Sequence, residues 1–360
     1  MKLLEAYQGR TVLVTGDTGF KGSWLVLWLQ RLGADVIGYA LPPQTPQDNF
    51  VTCGLGSEMT HIDGDVRDLG HLRSVFEEYQ PSVAFHLAAQ PLVIASYEDP
   101  VDTFATNVMG TAHFMECVRL TVSVEAAVNI TTDKVYENLE QAEGYRETDR
   151  LGGHDPYSAS KAASEIVTNS YRKAFLHTDT SARVATARAG NVIGGGDWAD
   201  NRIFPDCVRA LRAGQPIIVR NPAAVRPWQH VLEPLCGYLM LAAKLLGDGG
   251  EGFEGGWNFG PDPKTTVPVG ALVDEVIRAW GGGSVETPPR PAGAVHEANL
   301  LTLDITKASE ELGWYPALGL EALVRFSVDG YRVEGSPADF RAARLAQIAE
   351  YVACVSQRLA

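Results

Sequence analysis

Three glycines spaced three residues apart, Gly16, Gly19 and Gly22, follow directly on the apolar run Thr11-Val12-Leu13-Val14. The pattern reads as a strand, a tight turn and a helix. Gly16 can take backbone angles closed to residues with a Cβ, and Gly19 lets the main chain approach a pyrophosphate. Gly22 lets the following helix pack close to the strand. The first helical turn also offers unpaired N–H donors and the positive end of the helix dipole, so this is a phosphate-binding geometry. A glycine triplet serves equally well as an ordinary strand-to-helix turn, and the chemistry has to come from other residues.

The first half of the chain keeps the same rhythm. Strands are expected at 11–15, 35–40, 59–62, 82–87, 126–131 and 182–187, with amphipathic stretches at 24–32, 69–79 and 103–120 between them. Alternating βα units with apolar strands predict a parallel sheet covered by helices on both faces. After Arg188 the chain turns loop-rich, with Gly194-Gly195-Gly196, the stretch 248–256 and the proline-bearing stretch 281–293. A short strand near Trp257–Pro261 returns to the main sheet, and helices are expected at 267–280, 320–330 and 337–359. The expected fold is α/β: a doubly wound parallel-sheet Rossmann domain with a smaller mixed α/β C-terminal substrate domain. The first would take residues 1–188 with about 231–261 returning to it, the second 189–230 and 262–360.

The formal net charge of −14 disfavours nucleic acid and anionic membrane as partners, so an anionic substrate needs a local cluster of cations. Five scattered cysteines without a CxxC pair point to reduced thiols and a cytoplasmic protein. The eight histidines form no HExxH or HxxxH pair, which leaves a metal site without support. No run approaches the ~20 apolar residues of a membrane helix.

Tyr157 and Lys161 begin a helical stretch after Gly152-Gly153-His154-Asp155-Pro156, and residues four apart share a helix face. A cation beside the phenol lowers its pKa towards working pH and makes a tyrosinate base for a sugar hydroxyl. Thr132, Asp133 and Lys134 fall at the carboxyl end of an expected strand, the edge where ligands bind in open α/β sheets. Thr132 can hydrogen-bond a sugar hydroxyl, and Asp133 can act as a general acid if burial raises its pKa. Lys134 adds a second ionisable group. On the substrate side, Arg202, Arg220 and Arg226 offer donors for a diphosphate, with Arg226 in Arg-Pro-Trp-Gln-His-Val favoured. Asn191 and Gln90 could bond phosphate or sugar.

Several longer strings carry a family resemblance. They include Thr15–Leu25, His86–Val93, Thr131–Asn138, Gly152–Lys161, Arg188–Trp198 and Arg226–Val231. The chain resembles the extended short-chain dehydrogenase/reductases that modify nucleotide sugars, and among them the CDP-glucose 4,6-dehydratases. The likeness covers nearly the whole chain, and the Thr-Asp-Lys and Gly-Gly-Gly-Asp-Trp strings discriminate most. It implies NAD as a cofactor recycled within each turnover, CDP-glucose as substrate, and a homodimer or dimer of dimers. It also implies that Tyr157, helped by Lys161 and Thr132, takes the proton from the sugar 4-hydroxyl. Asp133 then protonates the departing 6-hydroxyl, and Lys134 handles or positions for the C5 proton. Gly16, Gly19, Phe20, Lys21 and Gly22 would hold the cofactor together with Val66, Leu87, Ala88, Tyr157 and Lys161. Asp65 would meet the adenine, and Asn107 would brace the active-site backbone.

The stretch Ile37–Leu41 lacks the acidic residue that often holds an NAD ribose, and it equally lacks an arginine for a 2′-phosphate. The pattern alone leaves NAD against NADP open; the resemblance selects NAD. The competing readings are another nucleotide-hexose dehydratase, a nucleotide-sugar 4-epimerase and a dinucleotide-sensing protein with a dead site. An epimerase has no work for Asp133, and a dead site usually loses the tyrosine or lysine that this chain keeps. Apolar faces on 103–120 and 157–175 could pair across a dimer or pack on the sheet.

Overall fold

Alternate residues of each central strand are claimed by opposite faces of one sheet. Val12 and Val14 pack with Trp24 and Leu27, whereas Leu13 packs with Phe76 and Phe114. A strand buried on both sides reads as a continuous apolar run, which is why the sequence marks it so clearly. The computed structural model describes residues 2–141, 143–177, 182–200, 202–262, 265–289 and 301–359.

The strands are β1 (Thr11–Thr15), β2 (Asp35–Ala40), β3 (Thr60–Asp63), β4 (Val83–His86), β5 (Ala126–Ile130) and β6 (Arg183–Arg188). With Gly255–Asn258 at one edge they form a seven-stranded sheet in the order Gly255–Asn258, β6, β5, β4, β1, β2, β3. Every pairing is parallel. The order reverses between β1 and β4, and the crevice beyond their carboxyl ends is the usual ligand site of such sheets. Thr15 pairs with Tyr39 on one side and His86 on the other, so the glycine turn emerges inside that crevice.

Helix α1 (Phe20–Arg31) is buried from Gly22 to Leu29. Its other cover comes from the far end of the chain: Trp28 meets Tyr351 of the helix Pro337–Leu359 edge-on at 5.7 Å. Glu233, in the first turn of the helix Leu232–Leu246, ties down that same region. Its carboxylate accepts from the Ala317 and Leu318 amides and from the Tyr351 hydroxyl.

Residues 103–120 were expected as one helix. They contain a break: a helix Pro100–Phe104 passes through a π-helical turn at Ala105–Met109 into the helix Gly110–Leu120. Beyond β6 the chain builds small ribbons, among them Val192–Ile193 with Gln229–His230 and Val225–Pro227 with Thr266–Pro268. Helices Ile203–Arg212, Val269–Trp280 and Leu320–Tyr331 accompany them. Within the expected loop 281–293, Val285–Glu286 pairs with Ile217–Ile218, and residues from 290 on lie outside those described. No helix among the described residues is long and apolar enough to cross a membrane.

Candidate active site

The turn after β1 is shaped by contact. Gly16 has φ +77°, and a Cβ there would lie 2.6 Å from the Ala88 nitrogen, just past β4. A Cβ on Gly22 would lie 2.0 Å from the Gly16 carbonyl oxygen, so the helix packs against the turn itself. Gly19 is the N-cap of α1 and supplies no side chain to cap it. The first-turn N–H groups at Phe20, Lys21 and Gly22 thus stay unblocked, which fits the pyrophosphate of a dinucleotide. Leu87 donates to the Thr15 carbonyl at 3.0 Å and Ala88 to the Thr15 hydroxyl at 3.3 Å, closing the crevice floor. Burial beside the cations of Arg202 and Lys161 lowers Lys21 to about 8.

The helix Pro156–Phe175 starts where its sequence says it should. Pro156 fills the first turn, and the Asp155 carboxylate caps it by accepting from the Ser158 amide at 2.9 Å and its hydroxyl at 2.6 Å. That cap sets Tyr157 at the mouth of the crevice, buried, with its phenol bonded to the Thr132 hydroxyl. Lys161, one turn on, donates to the Ile130 carbonyl at 3.2 Å. The expected lowering of the tyrosine does not occur in these surroundings. Burial pushes Tyr157 up to about 12, outweighing the Thr132 hydrogen bond, and lowers Lys161 to about 8. The ammonium is turned to the end of β5 rather than to the phenol.

Thr132 and Asp133 lie in the turn that leaves β5. The Thr132 hydroxyl donates to Asp133 Oδ1 at 2.9 Å, while Asp133 Oδ2 is buried with no hydrogen-bond partner. A Cβ on Gly190 would fall 1.9 Å from that oxygen, so only glycine fits opposite the carboxylate. Lys134, the next residue, is half-buried. Beneath them lies an ion pair that the sequence did not single out. Glu165 accepts from Arg188 through both oxygens, at 2.9 and 2.8 Å, and from the hydroxyls of Thr131 and Thr186. Glu165 sits four residues after Lys161, the same spacing that links the lysine to Tyr157, and that periodicity was the available signal.

The structure distributes the other expected residues unevenly. Asn107, in the π-helical turn, donates to the Gln90 carbonyl at 3.1 Å and the Ser160 hydroxyl at 2.9 Å, bracing the crevice loop to the Tyr157 helix. Gln90 spends its own amide within that loop, on Leu92 and Thr103, so its side chain is a brace instead of a free substrate donor. Asp65 is paired with Arg67, which also reaches Asp102, and Val66 is core, packed on Gly110. Arg202 caps the helix Ile203–Arg212, bonds Asp197 at 2.9 Å and lies in the field of Tyr157. Asn191 holds φ +41°, the left-handed region that asparagine tolerates, beside Gly190. Arg226 donates to its neighbour's carbonyl in the Val225–Pro227 ribbon, and Arg220 is exposed beyond Ile218.

The turn holds an acid that the sequence reading passed over. Asp17 is fully buried against Gly38 and accepts from His61 Nδ1 at 2.7 Å, which holds that histidine above its usual value. Its place in a glycine turn disguised it, because side chains there usually face solvent.

A tyrosine and a lysine one helical turn apart, facing a dinucleotide turn across the switch point, define the short-chain dehydrogenase/reductase class. A family model described as GDP-mannose 4,6 dehydratase matches residues 13–248. A CDP-glucose 4,6-dehydratase of Salmonella typhimurium is 46% identical over 321 residues, 87% of this chain and 88% of that one. The solved dTDP-glucose 4,6-dehydratase of Streptomyces venezuelae, with NAD and TYD bound, has a TM-score of 0.75 and 25% identity over 89% of this chain and 97% of its own. A UDP-glucose 4-epimerase of Thermus thermophilus in complex with NAD gives 0.74 and 26% over 89% and 99%. The chain belongs to the GDP-mannose 4,6 dehydratase family, the nucleotide-sugar branch of that class.

Proposed function

We propose that this protein removes water from CDP-glucose to give CDP-4-keto-6-deoxyglucose, with NAD as a tightly recycled cofactor. The observation that carries the reading is Asp133: a buried carboxylate with one unpartnered oxygen, hydrogen-bonded through Thr132 to the tyrosine of an oxidoreductase site. An epimerase needs the tyrosine and lysine but no such acid. The likeness to a CDP-glucose 4,6-dehydratase over most of both chains supports the nucleotide.

When bound, NAD supplies a two-electron acceptor that is restored within each turnover. The turn at Gly16, Gly19 and Gly22 would hold its pyrophosphate, with Phe20, Lys21, Leu87 and Ala88 around it. Tyr157 takes the proton of the sugar 4-hydroxyl, Thr132 fixes the phenol, and Lys161, one turn on, keeps a cation at the end of β5. Once C4 is a ketone the C5 proton is acidic, and Lys134 is our candidate to accept it. Asp133 gives its proton to the departing 6-hydroxyl, which leaves as water; the hydride taken from C4 then returns to C6 and the proton held by Lys134 to C5, so the net change is the loss of one water. Arg202 and Asn191, on the lobe formed by 189–230 and 262–360, bind the diphosphate side, with Arg226 at the ribbon beyond.

Ile94, Tyr97, Val101, Phe104, Met109 and Ile166 leave large apolar surfaces exposed on neighbouring helices. We assign that face to a homodimer, and the protein to the cytoplasm, where nucleotide sugars are made. Incubation with CDP-glucose, dTDP-glucose, UDP-glucose and GDP-mannose, with and without NAD, tests the function by mass spectrometry. Loss of one water from CDP-glucose is expected. Loss from a different nucleotide sugar would move the base specificity, and an epimer of unchanged mass would refute the dehydratase reading.

A further inference from the structure

Arg344, on the helix Pro337–Leu359, is 1% exposed, and no carboxylate among the described residues lies within ion-pair distance of it. Its charge is stripped of water without a counter-ion, which lowers its pKa. An apolar side chain of similar volume would fill the space at less cost in desolvation. What a methionine or leucine cannot supply is a planar fork of donors aimed at several acceptors together.

Two nitrogens of the Arg344 fork reach acceptors on different elements. Nε donates to Asn49 Oδ1 at 2.8 Å and one terminal nitrogen to the Gly330 carbonyl at 2.8 Å, in the last turn of the helix Leu320–Tyr331. That carbonyl is at the negative end of its helix. The guanidinium also lies 5.1 Å over the Trp24 ring of α1. Two glycines make room for it: a Cβ on Gly195 would come within 2.8 Å of the guanidinium nitrogen, and one on Gly330 within 3.0 Å.

Each of these contacts leads to the active-site loop 194–198. Trp24 donates through Nε1 to the Gly195 carbonyl at 2.9 Å. Asn49, held by Arg344, donates to Ser23 of α1 at 3.1 Å and fills the space that a side chain on Gly196 would need. Tyr331, next to Gly330, donates its hydroxyl to the Asp197 carbonyl, and Asp197 in turn holds Arg202.

We propose that Arg344 is a positioning residue for the substrate side of the cleft: through this one guanidinium the last helix of the chain holds the loop 194–198, and with it Arg202, in register with Tyr157. The proposal rests on the reading of Arg202 as a diphosphate ligand. It gives the C-terminal helix a part in substrate binding by way of the loop 194–198.

The test uses the full-length enzyme with Arg344→Met, Arg344→Lys and, as a variant that leaves the guanidinium alone, Tyr331→Phe. Calorimetry reads the binding of CDP, UDP, dTDP and GDP as probes, protein fluorescence reads NAD binding, and urea unfolding reads stability. Kinetics with CDP-glucose separate KM from kcat. Arg344→Met is expected to weaken nucleoside diphosphate binding and raise KM about tenfold, the scale of one lost charge-assisted contact, with kcat within about threefold. Arg344→Lys should recover part of that loss, and Tyr331→Phe should show a smaller shift in the same direction. A lower unfolding midpoint with diphosphate affinity and KM unchanged would overturn the proposal, leaving Arg344 a packing residue. If Arg344→Met does not fold, unchanged affinity in both of the other variants overturns it equally. Wild-type protein that binds a diphosphate yet leaves CDP-glucose intact would defeat the activity reading alone, because the binding comparison still decides Arg344. Wild-type protein that binds none of the four would defeat both.

Discussion

Replacing Glu233 by glutamine should change how stability depends on pH, by an amount the structure sets. Glu233 is fully enclosed, and burial raises it to about 7 in spite of three donated hydrogen bonds. In the unfolded chain it titrates near 4.5. Folding therefore favours the protonated acid. That contribution is complete below the unfolded value and is lost as the pH climbs towards the folded one. A gap of about two and a half pH units corresponds to about 3 kcal/mol. Glutamine keeps a carbonyl oxygen for the Ala317 and Leu318 amides, and its NH2 can donate to the Tyr351 oxygen, without a charge to desolvate. The stability of Glu233→Gln minus that of the wild type should be flat below pH 4.5, rise by about 3 kcal/mol up to pH 7, and level off above it. Urea unfolding of both proteins at pH steps from 4 to 8.5 measures this difference, and titrations shared by the two proteins cancel. A flat difference would show that Glu233 is not destabilised as an anion. A difference falling with pH would mean that the three donors outweigh burial, and the reasoning would fail.

Other consequences are as accessible. Tyr157→Phe should cut turnover about 10²–10⁴-fold, the usual worth of a general base, with NAD still binding as judged by fluorescence quenching. Lys21 and Lys161 are both lowered to about 8, so each is charged below that pH and neutral above it. NAD binding should weaken as the pH rises through 8, and Lys21→Gln should make the alkaline limb of the NAD-binding profile shallower. Gly190→Ala must displace Asp133, because its methyl carbon would fall 1.9 Å from the carboxylate. It should lose about 10²-fold or more in rate, the scale of a catalytic group misplaced by an ångström, while the circular dichroism spectrum stays that of the wild type.

The strands and most helices were legible because their signals are local. β1 and β2 begin and end where their apolar runs do, and Leu69–Tyr79 stops where its periodicity stops. The π-helical turn was not legible, since one extra residue per turn hardly disturbs a pattern of 3.6. Among site residues, Tyr157, Lys161, Thr132 and Asp133 meet because strand end and helix start are both encoded locally. Gln90 was misjudged because an amide in a loop reads as an available donor until its partners, Leu92 and Thr103, are seen. Arg344 and Asn49 are 295 residues apart, and no spacing rule joins them. The pKa of Tyr157 was misjudged for a related reason: helical spacing gives the nearness of the Lys161 stem but not the direction of its ammonium.

One more consequence belongs to the ribosome. Helix α1 carries Trp24 and Trp28, and two of their covers, Arg344 and Tyr351, are joined to the chain long after it. The edge strand Gly255–Asn258 is also late, so a nascent chain that has completed β6 still has an open sheet edge. Synthesis thus has to pass residue 351 before α1 loses its sticky face. A message truncated ahead of residue 344 would release a protein whose glycine turn and α1 are intact and whose two tryptophans lack these covers, a display that chaperones and proteases read as unfinished.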